Sequence, residues 1–399
     1  MALSTLVLIS VTGPDRPGIT SRLASVLALH RVVLHDIEQV TNGGNLALSF
    51  QIELEGEVTR EHPLFKDFIF AAWDLELHAD FRMQGAPFSP GPPRAAPLVL
   101  TVFGRTIGPD AIAALAEVLA RSGVNIDKIH RLSGDSFSCL ELSLQAPQGV
   151  DLFEVKQALL PQGTRFGIDL ALQRESVYRR ARRLIVLDMD STLTRGEVID
   201  ELARVAGTYE AVAQITERAM QGELDFEAAL RARVKLLAGL PLQALQQVRE
   251  RIELTPGAHE LLRVLKRLGY RVAVISGGFT DFTDWLRSQL GLDYAYANEL
   301  EIRDGRLTGS LRGHIVDARR KADLLETIAQ GEGISLEQVI AVGDGANDLL
   351  MLKRAGLGIA FNPKRSLRDA AEHTLDQPQL DAILYLLGMH EHELKELLG

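Results

Sequence analysis

Leu184-Ile185-Val186-Leu187-Asp188-Met189-Asp190-Ser191-Thr192 decides the fold. Four consecutive apolar residues suit a strand buried on both faces of a parallel sheet, and the run ends at once in two carboxylates. Runs of the same kind follow at Val272 to Ile275, Val339 to Val342 and Gly358 to Phe361, separated by helical patterns such as His259 to Leu268 and Lys321 to Ala329. Strands alternating with helices predict a doubly wound α/β sheet, whose ligands sit beyond the carboxyl ends of the strands. Between the first two strands, Val198 to Gln247 is almost purely helical and too long for one crossover. It predicts a helical cap, at about residues 198–255, inserted over the site. A second insertion, Tyr294 to Arg312, carries Asp304-Gly305 between alternating segments and predicts a hairpin.

The strand ends carry the chemistry. Side chains two apart on an extended segment point the same way, so Asp188 and Asp190 are expected to enter one pocket. Alone, such a pair also suits a solvated turn or a helix cap. The second strand ends in Ser276-Gly277-Gly278, a hydroxyl and two glycines able to wrap a phosphate with backbone amides. Lys321, at the start of a later helix in Asp317-Ala318-Arg319-Arg320-Lys321, offers a cation, with Arg320 as the alternative register. Val342-Gly343-Asp344-Gly345-Ala346-Asn347-Asp348 adds two carboxylates at another strand end. Hard oxygen ligands from several strand ends are what Mg2+ requires.

Four such elements in order resemble the haloacid dehalogenase superfamily from roughly Arg183 to the C-terminus. No Gly-x-x-x-x-Gly-Lys-Ser/Thr loop points to an NTPase instead. The resemblance implies Asp188 as a nucleophile that forms an aspartyl-phosphate, and Asp190 as acid and then base. Ser276, Gly277 and Lys321 would hold the phosphoryl group, Asp188, Asp190 and Asp344 the Mg2+, and Asp348 would orient Lys321 or a metal-bound water from behind.

Glu197 and, on a cap helix, Arg233 could grip an ammonium and a carboxylate, although surface ion pairs would use the same residues. With these two the match tightens to the phosphoserine phosphatase family. That resemblance implies phosphoserine as substrate, Glu197 and Arg233 on its amino acid part, Met220 and Phe226 as apolar cap residues closing over it, and Asn347 as a further contact. Two other readings stay open: a phosphotransferase that passes the phosphoryl group to another alcohol such as homoserine, and an amino-acid-sensing protein with a weak enzyme core.

The N-terminal half is an internal repeat. Gly85 to Pro97 holds five prolines in thirteen residues and reads as a linker between residues 1–84 and 98–175, with the catalytic part at 182–399. Leu6 to Val11 ends at Gly13 and Leu98 to Phe103 ends at Gly104, an offset of 91 residues. A helix follows each, then a strand, a tight turn at Asn42-Gly43 or Ser133-Gly134, an alternating strand at Leu46 to Leu54 or Ser136 to Leu144, and a closing helix and strand. The order βαββαβ predicts two ferredoxin-like sheets. With Gly13-Pro14-Asp15-Arg16-Pro17-Gly18 at the first strand-to-helix turn, the repeat resembles the ACT domain. That implies an amino acid effector, serine for instance, near Asp15 and Gly18. The second copy has Gly104-Arg105-Thr106 at that place instead.

Acidic residues number 53 against 43 basic ones in 399, a net charge of −10, so the chain repels nucleic acid and anionic lipid. Apolar residues at 46% and charged residues at 24% are those of a folded globular chain. The single cysteine, Cys139, excludes an internal disulfide and fits a reducing cytoplasm. No apolar run approaches the ~20 residues that span a bilayer, and Met1 to Thr12, lacking a basic start and a cleavage site, reads as a first strand. The paired sheets predict a homodimer built through residues 1–84 and 97–173.

Overall fold

The computed structural model describes residues 4–56, 58–59, 61–84, 97–133, 137–147, 149–221 and 223–399, and for Arg180 and Met220 the backbone alone. The predicted linker before Pro97, Gly134 of the second turn and Ser136 of the following strand lie outside the described residues. The chain divides into two compact units, Met1–Pro93 and Arg94–Gly399.

The first unit is one antiparallel sheet of β1 (Ser4–Pro14), β2 (Val33–Asn42), β3 (Asn45–Glu55) and β4 (His78–Gln84), in the order β2-β3-β1-β4. Helices Ile19–Leu29 and Pro63–Asp74 supply its core. Period-two alternation sets the register: Leu46, Leu48, Phe50, Ile52 and Leu54 of β3 are all buried, as are Val7, Ile9 and Val11 of β1. Between β2 and β3, Gly43 (φ +56°) and Gly44 (φ +77°) both take positive φ, as a two-residue type I′ hairpin turn demands.

In the second unit β5 (Leu98–Gly104), β6 (Asn125–Arg131), β7 (Ser138–Gln145) and β8 (Asp169–Arg174) repeat that topology in the order β6-β7-β5-β8, with helices Pro109–Arg121 and Leu152–Phe166 on one face. Both predicted βαββαβ patterns are present. The second sheet also buries its other face: Phe103, Leu132, Cys139 and Ala171 share a core with Tyr385, Leu386, Leu387 and Leu394 near the C-terminus. Polar seams flank that contact. Gln173 Nε2 donates to Leu386 O at 3.2 Å, Asp169 Oδ2 accepts from Asp376 N at 3.0 Å, and buried Arg179 pairs with Glu141 and Glu175.

The large sheet has the order β12-β11-β10-β9-β13-β14-β15, comprising β9 (Leu184–Leu187), β10 (Arg271–Phe279), β11 (Tyr294–Arg303), β12 (Arg306–Arg312), β13 (Val339–Gly343), β14 (Leu357–Phe361) and β15 (Thr374–Leu375). All its pairings are parallel except that of β12, which closes the predicted hairpin on β11. The chain leaves β9 to one side for β10 and returns on the other side at β13. The order therefore reverses beside β9, where open α/β sheets form their ligand crevice. Helices Val198–Ala206, Tyr209–Met220, Phe226–Lys235 and Leu242–Arg249 make the cap. The turn of the β11–β12 hairpin anchors it, with Leu242 N donating to Gly305 O at 3.1 Å and Gly239 N to Leu307 O at 2.8 Å.

Candidate active site

The extended segment expected through Asp190 stops at Asp188, and Met189–Leu193 forms one wide π-type turn. Leu193 N donates to Asp188 O at 3.3 Å and Thr194 N to Met189 O at 2.9 Å, while Ser191 takes φ +59°. The turn, rather than strand alternation, brings Asp190 toward Asp188. It is tied to the sheet through Asp188 N, which donates to Val342 O of β13 at 2.9 Å.

Lys321 enters from the first turn of helix Ala318–Gly331, capped by Asp317. Its Nζ lies 2.6 Å from Asp188 Oδ1 and 2.7 Å from Asp348 Oδ1, and both Lys321 and Asp348 are fully buried. The two carboxylates keep the ammonium charged against the pull of burial. Burial raises the Asp188 carboxyl well above the ordinary range; Asp348, Asp344 and Asp190 add to the rise and Lys321 opposes it. Lys321, and Lys364 beside Asp344, stand against Asp188, Asp190, Asp344 and Asp348, which leaves carboxylates in excess.

A divalent cation fits that excess. Asp188, Asp344 and Asp348 each offer one oxygen, all within 4.8 Å of one another and buried, the hard donor set Mg2+ takes. Asp190, expected among the ligands, is not in this group of side chains. Its Oδ1 accepts from Val198 N at 2.9 Å, and its Oδ2 lies 3.4 Å from Ser276 Oγ. Burial, with help from Glu197, pushes its carboxyl up to about 7.

Ser276 stands at the carboxyl end of β10, its Oγ accepting from Gly278 N at 2.8 Å. Glycine is needed here for space: a Cβ on Gly278 would stand 2.8 Å from Asp190 Oδ2. The sequence reading missed a support behind this loop. Asn298 of β11 donates through Nδ2 to Gly277 O and accepts through Oδ1 from Val316 N, each at 2.8 Å. It thereby joins the Ser276 loop to the segment that leads into the Lys321 helix.

Asp344 follows β13, and burial pushes its carboxyl up to about 6 against the lowering effect of Lys364. Gly343 leaves no room for a side chain, because a Cβ there would fall 2.4 Å from the Asp348 carboxyl carbon. Lys364, in the loop after β14, was also missed. Its Nζ lies 2.8 Å from Glu197 Oε1 and 3.1 Å from Asp344 Oδ2.

The cap meets the body over Gly277, where a Cβ would stand 3.1 Å from the Phe226 ring and 3.7 Å from Asn347 Nδ2. Arg233 is part-buried, and its Nε donates to Ala229 O at 3.4 Å. Burial lowers its guanidinium, with the charges of Glu197, Asp200 and Asp190 opposing. Arg231 instead forms an exposed pair with Glu227. The Met220 side chain lies outside the described residues. In the first unit, Gly18 precedes helix Ile19–Leu29 with φ +96°, and Asp15 accepts at Oδ2 from Thr41 Oγ1 at 3.3 Å.

Comparison with known proteins accords with this layout. Residues 185–353 match the haloacid dehalogenase-like hydrolase family, and residues 5–82 and 97–173 each match an ACT domain family. The chain is 44% identical over 395 residues to a phosphoserine phosphatase of Streptomyces coelicolor, covering 98% of this chain and 93% of that protein. It is 42% identical to a phosphoserine phosphatase of Mycobacterium tuberculosis, with 99% and 96% covered. A crystal structure of a probable phosphoserine phosphatase from Vibrio cholerae, unliganded, superposes with a TM-score of 0.57 at 38% identity, covering 73% of this chain and 86% of that one.

Proposed function

The chain belongs to the phosphoserine phosphatase family of haloacid dehalogenase-like hydrolases, and from that premise we propose that it hydrolyses L-phosphoserine to L-serine and phosphate, the last step of serine synthesis. The observation that carries this reading is the buried Lys321 held between Asp188 and Asp348, with Asp344 and Asp190 beside them. Asp188 attacks phosphorus, the bond from phosphorus to the serine oxygen breaks, and Asp190 gives its proton to the departing alkoxide. A pKa near 7 keeps that proton available at neutral pH. Ionised Asp190 then takes a proton from water as its oxygen attacks phosphorus, and the aspartyl-phosphate bond breaks to release phosphate. Ser276, the Gly277 amide and Lys321 stabilise the transferring oxygens. Asp188, Asp344 and Asp348 would hold Mg2+, which when bound would supply charge neutralisation for the phosphoryl group.

Glu197 takes the substrate ammonium and Arg233 its carboxylate, for among the described residues no carboxylate lies within 4.0 Å of the Arg233 guanidinium. Phe226 covers the substrate, and Asn347 contacts it. Phosphate release from phosphoserine with and without Mg2+ tests the activity. Hydride trapping of the acyl-phosphate must label Asp188, and label elsewhere rejects the assignment. Phosphate yield unchanged by added homoserine distinguishes hydrolysis from phosphotransfer.

The modules 1–84 and 98–175 act as a sensing and pairing device before the catalytic part at 182–399, joined by the 85–97 linker. Exposed Val33, Leu34, Ile37 and Val40 on edge strand β2 support pairing into a homodimer. Serine at the Gly13–Gly18 turn would meet helix-end amides with its carboxylate. Gly18→Val, strained by φ +96° although among the described residues nothing beyond its own neighbours in the chain lies within 4 Å of its Cβ position, should then relieve serine inhibition. Inhibition unchanged in that variant assigns it to the active site, and light scattering decides the dimer.

A further inference from the structure

Lys364 lies outside every motif that the sequence displays, yet it joins two of them. Its backbone N–H donates to Asp344 O at 2.9 Å, and its Nζ bridges Asp344 Oδ2 and Glu197 Oε1. The loop that carries it is itself fixed: Asn362 N donates to Leu375 O at 3.0 Å and Asn362 Nδ2 to Gln377 O at 2.8 Å. Glu197, by contrast, immediately precedes a cap helix, makes no capping bond to it with its side chain, and is 36% exposed. A glutamate so exposed samples several rotamers unless a partner holds it, and a ligand must then pay for ordering it.

We propose that Lys364 is a positioning residue that holds Glu197 by Oε1, leaves Oε2 to the substrate ammonium, and so sets the preference for phosphate esters that bear an α-amino group. The inference rests on the phosphoserine reading above. Its second anchor is what distinguishes Lys364 from an ordinary surface pair: Asp344 is almost wholly buried, so the ammonium is referenced to the strand ends and not to solvent. The groups facing Glu197 complete the arrangement. Asp190 and Asp200 repel its carboxylate, and Arg233 attracts it from the cap side. Without Lys364 the glutamate would lean toward Arg233, closing the very cation that the substrate carboxylate requires.

Phosphoserine is compared with 3-phosphooxypropanoate, which keeps the phosphate and carboxylate and lacks the amine. Lys364→Met should lower kcat/KM for phosphoserine about tenfold, mainly through KM, while changing the des-amino ester by less than about threefold, at the low end of what loss of an orienting partner does. Lys364→Arg should restore most of the preference. In a Glu197→Gln background, Lys364→Met should leave the ratio between the two substrates unchanged. Calorimetric titration of phosphoserine into Asp188→Asn, with and without Lys364→Met, should show the same loss in binding without turnover. Equal losses on both substrates would mean that Lys364 serves only the metal-side carboxylate, and no loss on either would mean that it does not hold Glu197; either overturns the proposal. A wild-type chain that cleaves phosphoserine no better than the des-amino ester would remove the substrate reading itself.

Discussion

Lys321 Nζ and Asp188 Oδ1 stand 2.6 Å apart, with the lysine fully buried and the aspartate nearly so. Such a pair is weak evidence for stability, since two charges have left water to form it, but it is costly to break from one side. Its value is positional: the carboxylate that must attack is fixed next to the cation that screens its approach to a phosphate dianion.

Lys321→Met should therefore abolish turnover and also destabilise the fold by about 3–5 kcal/mol, because Asp188 and Asp348 lose their shared counter-charge. Asp188→Asn should abolish turnover with a much smaller loss of stability. Urea midpoints of the two variants check this; a Lys321→Met protein as stable as the parent contradicts it.

Stability should depend on pH through Asp190, raised to about 7, and Asp344, raised to about 6. An acid whose folded pKa exceeds its unfolded value of about 4 binds its proton more tightly when folded. Its contribution is complete below pH ~4 and lost as pH rises through the folded values. The metal-free protein should thus lose stability from these groups between about pH 4 and about pH 7, and Mg2+ should restore it at the upper end by taking the place of the protons. The slope should flatten in Asp190→Asn. Denaturant titrations across the range, with and without Mg2+, provide the check.

Arg233→Ala should raise KM for phosphoserine far more than for a phosphate ester without a carboxylate, since a charge-assisted contact is worth about 1.5–3 kcal/mol, or roughly ten- to a hundredfold. Equal losses on the two esters would assign Arg233 to the cap fold.

Gly343→Ala should cost activity through geometry alone. Its new Cβ would fall 2.4–2.6 Å from the atoms of the Asp348 side chain, which must then release Lys321 or the Gly345 N–H that it accepts at 3.0 Å. Circular dichroism should show the fold retained while kcat drops by orders of magnitude. A variant with normal kcat would show that the Asp348 position is not critical.

The sheet, the cap and the hairpin were legible because each is written in short-range patterns: apolar runs that end in polar residues, a long helical insertion, and Asp304-Gly305 in a turn that needs positive φ. The motifs at Asp188, Ser276, Lys321 and Asp344 were legible because each stands at the end of a strand or the start of a helix. Asn298 and Lys364 were not. One interrupts no pattern on β11, and the other is a lone lysine in a loop, and only the folded sheet brings them to Gly277 and Glu197. The π-type turn at Met189 escaped because no local residue preference distinguishes it from an extended end. The second face of the β5–β8 sheet escaped for a different reason. Alternating patterns mark which residues are apolar, and cannot tell whether an opposite face meets water or Tyr385.

That covered face encloses Cys139, which is wholly buried and whose thiol is pushed upward mainly by burial. The only sulfhydryl in the chain is thus chemically mute in the native state. A reporter dye or spin label attached through a cysteine introduced on the cap would therefore read a single position without first engineering a background, and distances between cap and body could be followed in the unaltered remainder of the protein. The same mute thiol becomes a clock for opening: its reaction with an excess of thiol reagent would time how often the sheet lifts from the C-terminal segment.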